Sequence, residues 1–304
     1  MKALVTGSSG FIGKALCQKL LENGHEVLGV DPYVNKLEDE NFKFFKGTFS
    51  DLIHDNLINF IDNNTSIYHL GATKNKNVEE DGVEKLIESN ITDFSNLLDY
   101  VGSKNIEKLV FSSSLYVYGT KTNPPYAENS LLAPETYYGI SKVIGEKLVE
   151  DFFNTTGITS FIFRLFFIYG PGQKTEQSNY FPVIHKTIKN LKEGKNPEIY
   201  GDGKQTLDFV FVNDLVDLFS DKSKLKKNNQ LNIYNISNNE ETSINKVVEI
   251  ISENMGKEFN PTFLASDWTK GTRRYGDNSK IYKELDWSPK TTLDEGILRC
   301  IENH

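Results

Sequence analysis

Tyr138 and Lys142 stand four residues apart in Tyr138-Gly139-Ile140-Ser141-Lys142. On a helix that spacing puts both side chains on one face. A phenol ionises near pH 10, so removing its proton at neutral pH costs about 4 kcal/mol, at ~1.36 per unit. A neighbouring ammonium and a cationic cofactor ring would both lower that cost. Tyr138 could then serve as general base or acid toward a hydroxyl or carbonyl. Tyr-x-x-x-Lys alone is a common helical pattern, and a solvent-facing pair is the plain alternative. Ser114 closes the run Phe111-Ser112-Ser113-Ser114, upstream of Tyr138. Its hydroxyl suits hydrogen bonding to the reacting oxygen, although physics alone does not choose among three adjacent serines.

A second constellation is Thr6-Gly7-Ser8-Ser9-Gly10-Phe11-Ile12-Gly13. Gly7, Gly10 and Gly13 allow a tight turn, close backbone approach to a pyrophosphate and close helix–strand packing. A helix opening at Phe11 and Ile12 offers free N–H groups and a positive dipole end to phosphates. A ligand-free glycine turn is the alternative. A strand before the loop, a helix after it and an acidic residue ending the next strand argue against that. The acidic residue is Asp31, just before Pro32. Its carboxylate suits a ribose 2′-hydroxyl and repels a 2′-phosphate, so NAD is favoured over NADP.

The elements that must carry these groups follow an α/β rhythm. Strands are expected at Ala3-Leu4-Val5, Glu26 to Val30, Asn41 to Lys46, Ile67 to Leu70, Leu109 to Ser112 and Ser160 to Phe166. Helices are expected over Phe11 to Leu21, Val83 to Tyr100 and Tyr137 to Phe153. The alternation predicts a doubly wound parallel sheet of Rossmann type, with helices on both faces. Past Gly170-Pro171-Gly172 the pattern loosens. Helices at 179–192, 244–255 and 293–302 and short strands at 198–200 and 209–212 predict a smaller α/β domain. The expected organisation is a dinucleotide-binding domain over 1–170 and an interleaved C-terminal substrate-binding domain over 171–304. Residues 205–222 are expected to return to the first.

Composition narrows the class. The 304 residues carry 34 Lys and Arg against 42 Asp and Glu, a formal charge of −8. Without a basic cluster such a chain is a poor partner for nucleic acid. No run approaches the ~20 apolar residues of a membrane span. Cys17 and Cys300 make neither a metal-ligand spacing nor a disulfide framework. The expectation is a cytoplasmic protein with no metal and no membrane partner.

Taken in order, the motifs resemble the extended short-chain dehydrogenase/reductases, in their NAD-dependent epimerase/dehydratase branch. The resemblance covers most of the chain. It rests on the 6–13 loop, His69-Leu70-Gly71-Ala72, Phe111 to Gly119, Tyr138 to Lys142, Arg164 to Gln173, Gly201-Asp202-Gly203 and Arg274 to Asp277. It implies that Ser114, Tyr138 and Lys142 are catalytic. It implies that Leu70, Gly71, Ala72, Asn90 and Ser112 line NAD, with Phe49 near adenine. It also implies a homodimer paired through the helices near 83–100 and 137–153.

On the substrate side, the resemblance implies that Asn179 and Arg274 hold a nucleotide sugar and that Tyr200 stacks on its base. An edge-strand tyrosine is the plain alternative for Tyr200. Two positions depart from the family pattern: Phe167 replaces an Asn, and Leu207 replaces an Arg. Arg273, Lys174 and Lys204 are further cations that could face phosphate. Family dehydratases carry an Asp-Glu pair directly after the catalytic hydroxyl, whereas here Leu115 and Tyr116 follow Ser114. The leading expectation is a nucleotide-sugar epimerase acting at C4 through a transient keto sugar. A keto-sugar reductase or dehydrogenase would use the same three residues with net redox change. A catalytically silent cofactor-binding protein is the third reading.

Overall fold

The structure is a computed structural model that describes residues 1–73, 82–173, 182–266 and 271–304. It divides into two compact units. The first comprises 1–122, 128–165 and 216–235; the second comprises 123–127, 166–215 and 236–304.

The first unit is built on a seven-stranded sheet. Its strands are β1 (Lys2–Thr6), β2 (Glu26–Asp31), β3 (Phe42–Lys46), β4 (Thr65–His69), β5 (Lys108–Ser114) and β6 (Ser160–Leu165), with Leu231–Ile236 at one edge. From that edge the order runs β6, β5, β4, β1, β2, β3. The pairings from β6 across to β3 are all parallel. Parallel strands covered by helices need apolar side chains on both faces. Ala3, Leu4 and Val5 are accordingly fully buried, as is all of β5. The sheet order reverses between β1 and β4, so the loops after these two strands leave the sheet side by side. That crevice, at the carboxyl ends of the strands, is where doubly wound sheets bind ligands.

Helical segments that support this sheet include α1 (Phe11–Glu22), α2 (Phe49–Leu52), α3 (82–87), α4 (Asp93–Gly102) and α5 (Tyr137–Thr156). Leu97, Val101, Val149 and Phe152 from the helices share one core with Leu28, Ile67, Leu109 and Ile162 from the strands. Each such side chain contributes roughly 1.5–3 kcal/mol on burial. The single long helix expected over 83–100 is interrupted by a π-helical turn at Glu88–Thr92. Such turns insert one residue into the helical ladder and re-aim a side chain, here the buried Asn90.

In the second unit, Phe167–Tyr169 pairs with Phe209–Phe211, Thr206–Leu207 lies between Thr242–Ser243 and Arg273–Arg274, and Glu198–Tyr200 pairs with Thr262–Leu264. Helices Val183–Lys192, Ile244–Asn254 and Leu293–Glu302 contribute Ile184, Ile188, Val247, Ile251 and Ile297 to its core. The expected strand over 160–166 stops at Leu165, where the chain changes sheet. The Phe166 N–H donates to the Ile236 carbonyl, and Phe167 then joins the Phe209–Phe211 strand. The segment returning to the first unit is 216–235 rather than 205–222. It includes all but the last residue of the edge strand Leu231–Ile236, whose alternating Asn residues masked its strand character.

Candidate active site

The glycine loop packs at the β1–β4 crevice. Gly7 has φ +70°, and a Cβ there would lie 2.6 Å from the Gly71 nitrogen. A Cβ on Gly13 would stand 2.0 Å from the Gly7 carbonyl oxygen. Side chains at either position would push the strand, the loop and α1 apart. Gly10 caps α1 without any side-chain hydrogen bond, so the first-turn N–H groups of Phe11, Ile12 and Gly13 face outward from the helix end. Asp31 ends β2 and is buried. Its carboxylate accepts the Ser9 N–H at 3.0 Å and the Tyr33 N–H at 2.8 Å. Burial pushes its pKa up, and the two N–H bonds hold it back. A carboxylate has about four lone-pair sites, so this one retains acceptor capacity for ribose hydroxyls. The cradle that Cβ atoms would fill, the open helix end and the acidic strand end together fit a dinucleotide.

On the other side of the crevice, the Leu70 and Gly71 N–H groups donate to the Thr6 carbonyl and hydroxyl, at 3.2 and 3.3 Å. Ala72 is half-buried beside them. Thr6 Oγ1 also meets His69 Nδ1 at 2.8 Å. The His69 ring stacks 4.2 Å from Phe94, and burial with the nearby Lys142 drives its pKa down to about 3. His69 is therefore a neutral packing residue.

Asn90 holds this wall to the catalytic helix. Its Oδ1 accepts the Thr73 N–H and the Ser89 hydroxyl, both at 2.7 Å. Its Nδ2 donates to the Thr73 carbonyl at 2.9 Å and to Ser141 Oγ at 3.0 Å. An Asn side chain offers two donors and two acceptor lone pairs. All four are met by protein, so Asn90 has no hydrogen bond left for a cofactor and acts by position.

Helix α5 presents the remaining groups. Thr136 caps its start by accepting the Gly139 N–H at 3.0 Å. Two glycines let it dock closely. A Cβ on Gly139 would lie 2.5 Å from the Tyr116 carbonyl oxygen, and one on Gly145 would lie 2.5 Å from the Phe111 ring. This approach brings Tyr138 to the end of β5, where Tyr138 and Ser114 share a hydrogen bond.

The other two serines are engaged elsewhere. Ser112 donates to the His69 carbonyl at 3.2 Å, and Ser113 donates to Glu146. Of the three serines, Ser114 is the one that meets Tyr138.

Lys142 is buried and donates to the Ser112 carbonyl at 2.7 Å. It lies 5.6 Å from the centre of the Tyr138 ring. The expected lowering of the phenol pKa does not occur in the protein alone. Burial of the hydroxyl end pushes Tyr138 up to about 12, Ser114 opposes that, and neighbouring Tyr116 adds to it. Desolvation of the buried phenol is the largest effect.

The Phe49 ring packs into the core of the first unit. It is 1% exposed and packs edge-on against Tyr100 at 6.0 Å.

Sequence reasoning missed a buried network behind the serines. Arg164 and Glu146 form a two-bond pair at 2.9 and 2.7 Å, and Arg164 also donates to Tyr118 and to the Glu128 carbonyl. The available signal was a lone arginine inside the apolar run Phe161 to Tyr169.

In the second unit, Arg274 is buried on its short strand, opposite Leu207. Tyr200 is 43% exposed, with Lys186 4.9 Å from its ring centre. It is an exposed strand tyrosine rather than a core one. Arg273 is held by Glu241 through two 2.6 Å bonds, which weakens its candidacy as a phosphate ligand. Phe167 packs against the second unit's core. Asn179 and Lys174 lie outside the described residues. Among the described residues, no cluster of His, Cys, Asp and Glu could hold a metal ion.

A parallel sheet with a glycine cradle at its switch point and a Ser–Tyr–Lys group one strand away defines a nicotinamide-dinucleotide enzyme of the short-chain dehydrogenase/reductase class. The sequence model of the NAD dependent epimerase/dehydratase family matches residues 3–237, and the chain belongs to that family.

A putative UDP-glucose 4-epimerase of Methanocaldococcus jannaschii is 32% identical, over 98% of this chain and 96% of that one. The crystal structure of UDP-glucuronic acid 4-epimerase from Bacillus cereus, in complex with UDP-glucuronic acid and NAD, is similar with a TM-score of 0.86. It is 28% identical, over 100% of this chain and 98% of that one. UDP-N-acetylglucosamine 4-epimerase from Methanobrevibacter ruminantium M1 gives a TM-score of 0.88 at 25% identity, over 99% of this chain and 97% of that one.

Proposed function

We propose that this chain is an NAD-dependent nucleotide-sugar epimerase that inverts C4. The observation that carries the reading is the Ser114–Tyr138 hydrogen bond beside the buried Lys142. NAD, held by the glycine loop and Asp31, would supply a reversible hydride acceptor for the sugar carbon, with no net redox change.

The chain's own residues do the rest. Ser114 and Tyr138 together meet the C4 hydroxyl; with bound NAD as a second cation Tyr138 releases its own proton to solvent, and the phenolate then accepts the C4 hydroxyl proton and later gives it back. Lys142, held by Ser112, supplies a fixed positive charge beneath the phenol ring. Gly7, Gly10 and Gly13 admit the pyrophosphate, and Asp31 accepts the ribose hydroxyls. Leu70, Gly71, Ala72 and Ser112 form the facing wall, which Asn90 holds in place. The first unit takes the cofactor role. The second supplies Arg274 to the diphosphate and Tyr200 to the base of the substrate.

The same reading extends to assembly and location. Ile87, Tyr137, Ile140 and Ile144 are apolar side chains exposed on α3 and α5, a surface suited to pairing two copies of the chain. Sedimentation of the purified protein as a monomer would remove the dimer. Both cysteines are buried and unbridged, in keeping with a cytoplasmic enzyme. No described helix is long and apolar enough to cross a membrane.

The test is incubation with UDP-glucose, UDP-glucuronic acid and UDP-N-acetylglucosamine, with products resolved by NMR. Formation of the C4 epimer without a lasting change in nicotinamide absorbance supports the reading. A stoichiometric absorbance change would assign a reductase or dehydrogenase instead.

A further inference from the structure

Asp208 lies outside the residues assigned above, yet it is 0% exposed. A carboxylate removed from water must be answered by hydrogen bonds or charge. Here the answer is backbone. Oδ1 accepts the Asn238 N–H at 2.6 Å, and Oδ2 accepts the Gly276 N–H at 3.2 Å. The Asn239 and Glu240 N–H groups also bond to it. One side chain thus gathers the 238–240 turn and the 274–276 segment onto itself.

The segment it gathers carries Arg274. Residue 274 pairs in register with Leu207, the chain neighbour of Asp208. The Asp208 carbonyl accepts the Phe167 N–H at 3.0 Å, which ties its own backbone to the adjoining strand. Arg274 is therefore fixed before position 275 by strand pairing and after it by the carboxylate. The second fixing depends on close approach. A Cβ at Gly276 would lie 2.5 Å from the Phe166 ring and 2.8 Å from Ser237 Oγ.

We infer that Asp208 is a positioning residue for Arg274, holding the backbone that aims the guanidinium at the diphosphate of a nucleotide sugar. Arg recognises phosphate through a rigid two-donor fork, so its aim matters as much as its charge. Asp208 does not touch substrate in this account and acts only through Arg274. The inference rests on the reading of Arg274 as the diphosphate ligand.

The test is a double-mutant cycle with Asp208→Asn and Arg274→Met, read as KM and kcat for the best sugar nucleotide and as affinity for free UDP. Asn keeps the volume but turns one acceptor into a donor facing a backbone N–H. Asp208→Asn is expected to raise KM and weaken UDP by about tenfold, the scale of a lost charged hydrogen bond, with kcat within about twofold. In the Arg274→Met background the same change is expected to add less than about twofold. Should Asp208→Asn fail to fold, Gly276→Ala displaces the same N–H and is expected to act alike. Unchanged KM and UDP affinity in these variants, beside a clear Arg274→Met effect, would overturn the inference and leave the Arg274 reading standing. Full additivity of the two substitutions would overturn it as well. An Arg274→Met variant with unaltered KM and UDP affinity would overturn the Arg274 reading itself, and this inference with it.

Discussion

Lys142 Nζ donates to the Ser112 carbonyl at 2.7 Å and stands 5.6 Å from the centre of the Tyr138 ring. The ammonium is anchored to the strand beside the phenol ring. Without ligands, burial dominates and Tyr138 sits at about 12. The free enzyme therefore holds this tyrosine protonated throughout the neutral range. Ultraviolet difference titration of wild type against Tyr138→Phe should show no phenolate from Tyr138 up to pH 10. Addition of NAD, a second cation, should bring that signal to lower pH. An early phenolate in the free protein would contradict the ordering of effects.

Gly13→Ala would place a methyl 2.0 Å from the Gly7 carbonyl oxygen. The loop must move to admit it, and NAD affinity should fall by more than about tenfold, or about 1.4 kcal/mol. Gly24→Ala is the control. Its φ of +72° is also left-handed, but a Cβ there meets nothing within 4 Å. That change should cost stability of about 1 kcal/mol and leave NAD binding intact. Calorimetric titration with NAD and thermal melting separate the two effects.

Glu146→Ala would strand the Arg164 guanidinium, which is 3% exposed. Loss of one partner of a buried pair costs about 3–5 kcal/mol. Replacing both residues with Met should recover more than half of that, because no uncompensated charge remains. Urea unfolding of the single and double variants gives the comparison. A single variant as stable as wild type would show that the pair is not structural.

Two buried histidines make the fold acid-sensitive. Burial, helped by nearby lysines, lowers His25 to about 4 and His69 to about 3. Both values lie below the unfolded value of 6.5, so the unfolded chain binds more protons below that pH. Their contribution is present above pH 6.5 and is lost as pH falls toward 4 for His25 and 3 for His69. Urea midpoints should fall between pH 7 and pH 5, and less steeply in His69→Gln.

Much of this was legible in the sequence, for identifiable reasons. The strand–glycine–helix start and Asp31 are local signals, and each lies where its pattern put it. Tyr138 and Lys142 needed only helical periodicity. What stayed hidden depends on contacts distant in sequence. That Ser112 and Ser113 are held by His69 and Glu146 while Ser114 meets Tyr138 could be seen only in the fold. The interruption at 88–92 belongs to Asn90 bonding Thr73 and Ser141, far from it in the chain. The packing of the Phe49 ring against Tyr100 likewise depends on a residue far off in the chain.

The central claim is that Tyr138, hydrogen-bonded to Ser114, moves the proton of the reacting hydroxyl. Its most direct test is the C4 epimerisation rate of Tyr138→Phe on whichever sugar nucleotide the wild type turns over, with NAD and UDP binding measured on the same sample. The account predicts a loss of about 10²–10⁴-fold in kcat, the span of general acid–base catalysis, with both affinities retained. Wild-type turnover in Tyr138→Phe would contradict it.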